Sequence, residues 1–267
     1  MPEAALNEAS YAEFKRKILK KSGIDLNSYK QQQMQRRINA LMDTVGVKSY
    51  EEYFRLLEEN PQRYQEFLKR LTINVTEFMR NPERFEELEK DILPQLLVKN
   101  RGIKVWSAGC ATGAEPYSLA ILLHDLDPRG STQGSHRILA TDVDRQVLEK
   151  ARQGVYQTAE LRNLNPDRLA KYFTRLGPDS YQVTEELKKM VDFRQHNLLT
   201  DSFEEDFDLI LCRNVVIYFT EDAKDKLYHR FYEALKPGGV FLVGGTEPLL
   251  RYRDFGFECI FSTFYRK

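Results

Sequence analysis

The chain has 267 residues, with 40 basic and 40 acidic side chains, 42% hydrophobic residues and three cysteines. This composition indicates a globular protein, and its zero net charge argues against bulk binding of nucleic acid. The apolar runs are too short to cross a bilayer, the cysteines form no CxxC pair, and the first residues lack a secretory-signal pattern. We therefore expect a cytoplasmic protein with free thiols, no metal site and no membrane insertion.

The first 80 residues are predicted to form a small helical domain. Apolar residues recur at three- and four-residue spacing in two stretches, 11–19 and 38–45. A linking helix is predicted in residues 81–101, because Asn81 is followed by proline, as Asn60 is earlier in the chain. The residues that mark helix ends in this part of the sequence are Gly46, Ser49, Asn60 and Pro61.

Positive charge is concentrated in one part of this helical domain. Between residues 14 and 37 there are eight basic residues and one acidic residue, an excess of seven positive charges. A solvated helix surface accounts for such an excess as well as a docking face does. If it is a docking face, it attracts an acidic partner. The residues predicted to form that face are Lys20, Lys21, Arg36 and Arg37.

From residue 102 to the end, predicted strands alternate with predicted helices. Such alternation is typical of an α/β fold with a doubly wound, mostly parallel sheet that binds its ligand at the strand C-termini. A small antiparallel β insertion is predicted at about 155–190, where the alternation lapses. The last helix is predicted to run from a cap at Thr220 to Gly238. The predicted strands are IKVWSA, RILATD, MVDFRQHN, FDLILCRN, VFLVGG and FECIFSTFYRK.

The loop after the first of these strands contains two glycines followed by an acid. A P-loop has a lysine after its second glycine, whereas Ala114 and Glu115 follow Gly113 here. A dinucleotide fingerprint has the spacing G-x-G-x-x-G, whereas three residues separate Gly109 from Gly113. Glu115 would also repel a pyrophosphate at the helix N-terminus. The loop is therefore a poor match for either phosphate-binding pattern.

S-adenosylmethionine fits this loop better than a nucleotide does. It carries no phosphate, and its amino-acid end has an ammonium group from which Glu115 can accept a hydrogen bond. Asp142 ends the next predicted strand, where an acid can accept from both ribose hydroxyls, as it does for NAD. The combination favours a methyltransferase fold, with dinucleotide binding as the alternative.

Six segments of the chain, in order from residue 74 onward, resemble signature segments of the chemotaxis receptor methyltransferases, the CheR family. The resemblance implies an enzyme that transfers the methyl group of S-adenosylmethionine to glutamate side chains on the cytoplasmic helices of chemoreceptors, with S-adenosylhomocysteine as product. The segments are NVTEFMRNPERFEEL, VWSAGCATGAEPYSLAILL, ATDVD, NLL, FDLILCRNVVIYF and LKPGGVFLVGGTEPL.

The resemblance also implies site residues. Tyr218 would lie close to the transferred methyl group, and Arg80 or Arg213 would hold the acceptor carboxylate. Asn197 and Leu198 would lie beside the adenine. The other residues implied to contact the cofactor are Asn74, Thr76 and Arg80 on the linker side, and Arg213, Asn214 and Val215 near the methionine end.

A glutamate acceptor is consistent with the lack of a recognisable general base in the sequence. A carboxylate is already an anion at neutral pH, so it needs alignment and exclusion of water rather than deprotonation. We also expect a monomer. Some members of the family bind a peptide at the receptor's C-terminal tail through a longer, glycine-rich turn of the insertion; the turn here, TRLGPDSYQV, is short, so we expect no such tether. The alternatives are an adaptor that binds S-adenosylmethionine without turnover, and a methyltransferase acting on a small molecule or nucleic acid.

Overall fold

The computed structural model describes residues 8–71, 76–99 and 102–267. These residues fall into two compact units. The helical unit comprises the described residues up to 71 together with Tyr218–Asp225, and the sheet unit comprises the rest. No helix in the described ranges is both long and apolar enough to cross a membrane.

The helical unit packs four α-helices around a cluster of aromatic rings. Phe14 lies at the centre of this cluster, with ring centroids of four other aromatic residues within 6.3 Å. Gly46 ends the second helix at φ +76°, and the side chains of Ser49 and Asn60 cap the next two, as predicted. The helices are α1 (Glu8–Ser22), α2 (Gln31–Val45), α3 (Tyr50–Glu59) and α4 (Pro61–Leu71).

The sheet unit begins with the predicted linking helix, which has three consecutive parts. They are α5 (Pro82–Glu87), a π-helical turn (Leu88–Ile92) and α6 (Leu93–Lys99). Asn81 precedes this helix, but it has a left-handed backbone with φ +58° and its side chain makes no capping bond. Its amide oxygen instead accepts a hydrogen bond from Arg213, which is described below.

A seven-stranded sheet forms the centre of this unit, in the strand order β6-β2-β1-β7-β8-β10-β9. The first five strands are parallel and the last two are antiparallel. The predicted mixed, doubly wound sheet is therefore confirmed. Its strands are β1 (Lys104–Ala108), β2 (Arg137–Asp142), β6 (Val191–Gln195), β7 (Phe207–Cys212), β8 (Leu235–Val243), β9 (Glu258–Phe261) and β10 (Phe264–Arg266).

The predicted insertion is present as a separate antiparallel sheet in the order β3-β5-β4. The insertion strands are β3 (Val155–Gln157), β4 (Phe173–Arg175) and β5 (Ser180–Val183). The remaining helices are α7 (Ala114–Leu126), α8 (Pro128–Thr132), α9 (Arg145–Gln153), α10 (Pro166–Tyr172), α11 (Glu185–Lys189) and α12 (Glu221–Ala234).

Two predicted boundaries are wrong. The segment FECIFSTFYRK, predicted as one strand, forms two strands, β9 and β10, which pair antiparallel with each other. The last helix ends at Ala234 rather than at Gly238, and β8 begins at once with Leu235. Gly238 has φ +78° and lies in an irregular stretch where the register of β8 against β7 shifts. The N–H of Gly238 donates to the carbonyl of Lys267 at 2.8 Å, so this glycine pairs within the sheet unit instead of ending the helix.

The strand order reverses at β1, which lies between β2 and β7. In open α/β sheets, the crevice outside the C-terminal ends of the strands at such a point is where ligands bind. The segments that follow β1, β2 and β7 are the loop beginning at Gly109, the turn after Asp142 and the turn beginning at Arg213. These three segments form the candidate site.

Candidate active site

The loop after β1 is held against the end of β2. The N–H groups of Gly109 and Cys110 both donate to the carbonyl of Thr141, at 2.8 and 2.9 Å. Gly109 has φ +84°, and a Cβ atom at this position would lie 2.4 Å from the Val215 side chain. Glycine is needed there because the segment after β7 approaches so closely. Gly109 and Val215, both predicted site residues, are therefore neighbours.

Asp142 lies at the C-terminal end of β2 and is only 8% exposed. One carboxylate oxygen accepts from the N–H of Ala111 at 2.9 Å, and the other from the N–H of Asp144 at 3.0 Å. Burial raises the pKa of Asp142 to about 6. Each carboxylate oxygen can accept more than one hydrogen bond, so Asp142 keeps accepting capacity after these two.

Glu115 lies in the first turn of α7 and forms a largely buried ion pair. Its carboxylate accepts from the hydroxyl of Ser107 at 2.8 Å and from Nη1 of Arg213 at 3.2 Å. The Glu115 side chain is 13% exposed, whereas that of Arg213 is 2% exposed. Glu115 is therefore the partly accessible member of the pair, and its charge is compensated within the protein.

Arg213 is enclosed by contacts from the start of the sheet unit. Its Nη2 donates to the carbonyl of Arg80 at 2.7 Å and to Oδ1 of Asn81 at 2.9 Å, and its guanidinium lies 5.4 Å from the centroid of the Phe85 ring. These contacts commit Arg213 to protein partners. Of the two arginines suggested to hold an acceptor carboxylate, Arg80 remains the better candidate because its side chain is only half-buried.

The turn after β7 is organised by a buried glutamate without a predicted role. Glu247 accepts hydrogen bonds from the N–H groups of Asn214, Ile217 and Gly244. It is 6% exposed, and burial raises the pKa of its carboxyl. Asn214 has the left-handed φ of +59°, and its Oδ1 is buried without a hydrogen-bond partner.

The predicted adenine-side residues lie in a tight turn after β6. Oδ1 of Asn197 accepts from the N–H of Leu199 at 3.0 Å, and the N–H of Asn197 donates to the Asp201 carboxylate at 2.9 Å. Arg230 of α12 donates to the carbonyls of Leu198, at 2.6 Å, and Asp201. The turn is thus fixed by its own side chains and by one arginine.

Two more residues, Thr76 and Asn74, are implied to contact the cofactor from the linker side. Thr76 is half-buried at the start of the sheet unit. Asn74 lies outside the described residues.

Tyr218 and the predicted docking residues lie in the helical unit. The guanidinium of Arg37 lies 5.3 Å from the centroid of the Tyr218 ring, and its Nη1 donates to the carbonyl of Leu71 at 2.6 Å. Lys21 lies 4.9 Å from the ring centroid of Tyr64. Lys20 and Arg36 are exposed. The structure thus separates Arg37, which supports the unit, from Arg36, which faces solvent.

The residues at the strand ends fit S-adenosylmethionine by their chemistry. The site offers two carboxylates, Glu115 and Asp142, on either side of a loop without a phosphate-binding lysine. Asp142 accepts only main-chain N–H groups among its described bonds, so it can also accept from ribose hydroxyls. Glu115 is exposed enough to accept from an ammonium group. Both acids therefore offer hydrogen-bond acceptors, which suit an ammonium group and ribose hydroxyls and do not suit a pyrophosphate.

Sequence comparison gives matches over both units. A family model described as "CheR methyltransferase, SAM binding domain" matches residues 74–265, and "CheR methyltransferase, all-alpha domain" matches residues 9–72. A chemotaxis protein methyltransferase of Listeria innocua is 40% identical over 97% of this chain and 98% of its own length. Another, from Escherichia coli K12, is 36% identical over 91% of this chain and 85% of its own length.

Among solved structures, PKMT2 from Rickettsia typhi in complex with AdoHcy matches with a TM-score of 0.34 at 17% identity, over 54% of this chain and 21% of that one. So limited a likeness adds nothing to the assignment. The family matches extend over both units, and the relatives cover nearly the whole chain. This protein therefore belongs to the CheR methyltransferase family, and its sheet unit is the family's S-adenosylmethionine-binding domain.

Proposed function

We propose that this protein is a cytoplasmic protein-glutamate O-methyltransferase that methylates the cytoplasmic helices of chemoreceptors. The observation that carries the proposal is the pair of carboxylates, Glu115 and Asp142, placed around the loop after β1 in a chain of the CheR family. The relatives named chemotaxis protein methyltransferases support the assignment to chemotaxis. The glutamate acceptor is supported by the chemistry of the site.

Carboxylate methylation is supported by the positions of the histidines. All four histidines of the chain lie in described residues, and the side-chain partners of these histidines do not include Glu115 or Asp142. His124 bonds to Tyr172 and Glu186, and His136 bonds to Asp127. His196 packs on Trp106 and His229 on Phe255. A hydroxyl or amine acceptor would call for a base, whereas a carboxylate does not.

In this proposal the protein aligns reactants rather than transferring protons. When bound, S-adenosylmethionine supplies a methyl group on a positively charged sulfur, and the acceptor oxygen forms its bond as the carbon–sulfur electron pair stays with sulfur. Glu115 accepts from the ammonium group and Asp142 from the ribose hydroxyls. Arg80 orients the acceptor carboxylate. Alignment of this kind accounts for much of the rate of such displacements.

The helical unit is proposed to recognise the receptor. Its basic segment would attract acidic receptor helices, and the exposed side chains of Lys20 and Arg36 are the best placed for this. Lys21 is also exposed, although it lies over a tyrosine ring. Arg37 contributes by holding the unit together rather than by direct contact.

Methyl transfer to receptor-containing membranes tests the proposal. Membranes are incubated with the protein and S-adenosylmethionine labelled on its methyl group, and the label is then treated with alkali. Label that is released as methanol supports a carboxyl methyl ester, because methylated amines and ethers survive alkali. The matched control is Asp142→Ala, which should transfer little label at the same cofactor concentration.

Two outcomes would contradict the proposal. Cofactor binding without any transferred label would favour an adaptor that binds S-adenosylmethionine without turnover. Alkali-stable label would indicate a different acceptor atom.

A further inference from the structure

Glu247 is a buried acid that joins two segments at the edge of the candidate site. Its carboxylate accepts from Ile217 at 3.0 Å and from Gly244 at 3.2 Å, and it also accepts from the N–H of Asn214. The first two bonds reach different loops, one after β7 and one after β8. A single side chain therefore fixes the turn after β7 to the end of β8.

The Glu247 carboxylate occupies the space beside Gly244. A Cβ atom at Gly244 would lie 2.3 Å from Oε2 of Glu247 and 3.0 Å from the N atom of Asn214. Any larger residue at 244 would displace either the carboxylate or the turn. Asn214 has φ +59°, a conformation that non-glycine residues adopt rarely and that needs support from neighbours.

The turn that Glu247 holds contains Arg213, Asn214 and Val215, the residues that the family resemblance implies near the methionine end of the cofactor. Arg213 is paired with Glu115, and Val215 lies against Gly109 in the loop after β1. A shift of this turn would therefore displace groups at both ends of the loop that is proposed to hold the cofactor.

We infer that Glu247 is a positioning residue for methyl transfer, which sets the turn of residues 213–217 in the conformation that binds the cofactor. The inference rests on the proposed cofactor chemistry. Glu247 needs no contact with the cofactor or the acceptor for this role. Its action passes through main-chain N–H groups, so it depends on the two acceptor oxygens of the side chain rather than on its volume.

The variant Glu247→Gln tests this, because it keeps the volume but replaces one acceptor oxygen with an NH2 donor facing N–H groups. Asp208→Asn is the matched control. Asp208 is 2% exposed on β7, the strand that leads into the turn of residues 213–217, and it accepts from the N–H of Lys104 and from Nζ of Lys236 at the opposite end of that strand from the site. Both variants lose one buried carboxylate oxygen. If Glu247 had only a structural role, the two variants would therefore have similar Kd values for S-adenosylhomocysteine.

The Kd of S-adenosylhomocysteine is measured by calorimetry, and thermal unfolding is followed in parallel. We expect Glu247→Gln to raise the Kd by about 10- to 100-fold, since small displacements of site residues have effects of that order. Asp208→Asn is expected to stay within about twofold of wild type at a similar loss of Tm. Equal Kd values for the two variants would overturn the inference.

If Glu247→Gln does not fold, Glu247→Asp, which keeps the charge but reaches less far, is compared in the same way.

These measurements use product binding alone. If the protein fails to methylate receptors, the proposed function fails, but the comparison of Kd values still decides the role of Glu247.

Discussion

Cofactor affinity should depend on pH through Asp142. Burial raises the pKa of this carboxyl to about 6 in the free protein. Ribose hydroxyls donate hydrogen bonds, so they stabilise the ionised form and lower the pKa in the complex. Binding is therefore strongest when Asp142 is already ionised, above its pKa. Affinity should be lost as the pH falls through about 6, because the proton must then leave before the ligand binds.

The size of the effect follows from this pKa. If only the ionised form binds, the Kd at about pH 5 exceeds the Kd at about pH 7 by roughly tenfold, or ~1.4 kcal/mol. Binding at about pH 5 should also release close to one proton. Calorimetric titration with S-adenosylhomocysteine, in two buffers of different ionisation enthalpy, measures both quantities.

Asp142→Asn is the control, because it removes the titration but keeps the side-chain volume. Its affinity should be lower by about 1–3 kcal/mol at about pH 7 and almost constant down to about pH 5. The control matters because the N–H of His196 bonds to the carbonyl of Asp142, and this histidine also titrates. The same pH slope in wild type and Asp142→Asn would assign the effect elsewhere and refute the reasoning.

Three further predictions concern the charged groups. Measured by calorimetry, Glu115→Gln should weaken the binding of S-adenosylmethionine more than the binding of an analogue without the amino group. Equal losses of affinity for the two ligands would mean that Glu115 serves only the fold. Arg213→Lys should lower the free energy of unfolding by about 1–3 kcal/mol in urea titrations, because an ammonium cannot reproduce the buried guanidinium's bonds; unchanged stability would contradict their importance. Arg36→Glu should raise the receptor KM at low salt and leave the stability unchanged, whereas Arg55→Glu, at an exposed position of α3, should leave the receptor KM unchanged. An equal rise in KM for both variants would indicate general electrostatics rather than a docking face.

Patterns that are local in sequence predicted much of this fold. The strand–loop–helix order placed Glu115 at the start of α7 and Asp142 at the end of β2, because alternation and strand length are local properties. The caps at Ser49 and Asn60 were also predictable, since capping depends on a few neighbouring residues.

Contacts between distant segments were not predictable in this way. Asn60 and Asn81 both precede a proline, yet only Asn60 caps its helix. Asn81 instead accepts from Arg213, which is 132 positions away in the chain. Glu247 likewise gave no local signal, because two of its three donors, Asn214 and Ile217, lie 33 and 30 positions earlier in the chain. The stretch around Gly238 pairs with Lys267, which is also distant in sequence.

The acceptor atom is the central claim, and the proton balance of the reaction tests it most directly. An ionised carboxylate and a cationic sulfonium give a neutral ester and a neutral thioether, so no proton is set free. Methylation of a hydroxyl, or of an amine that is an ammonium ion at neutral pH, releases one proton for each methyl group. The measurement follows proton release in weak buffer with receptor-containing membranes, alongside the formation of S-adenosylhomocysteine. The account predicts product formation without proton release, and one proton per product molecule would contradict it.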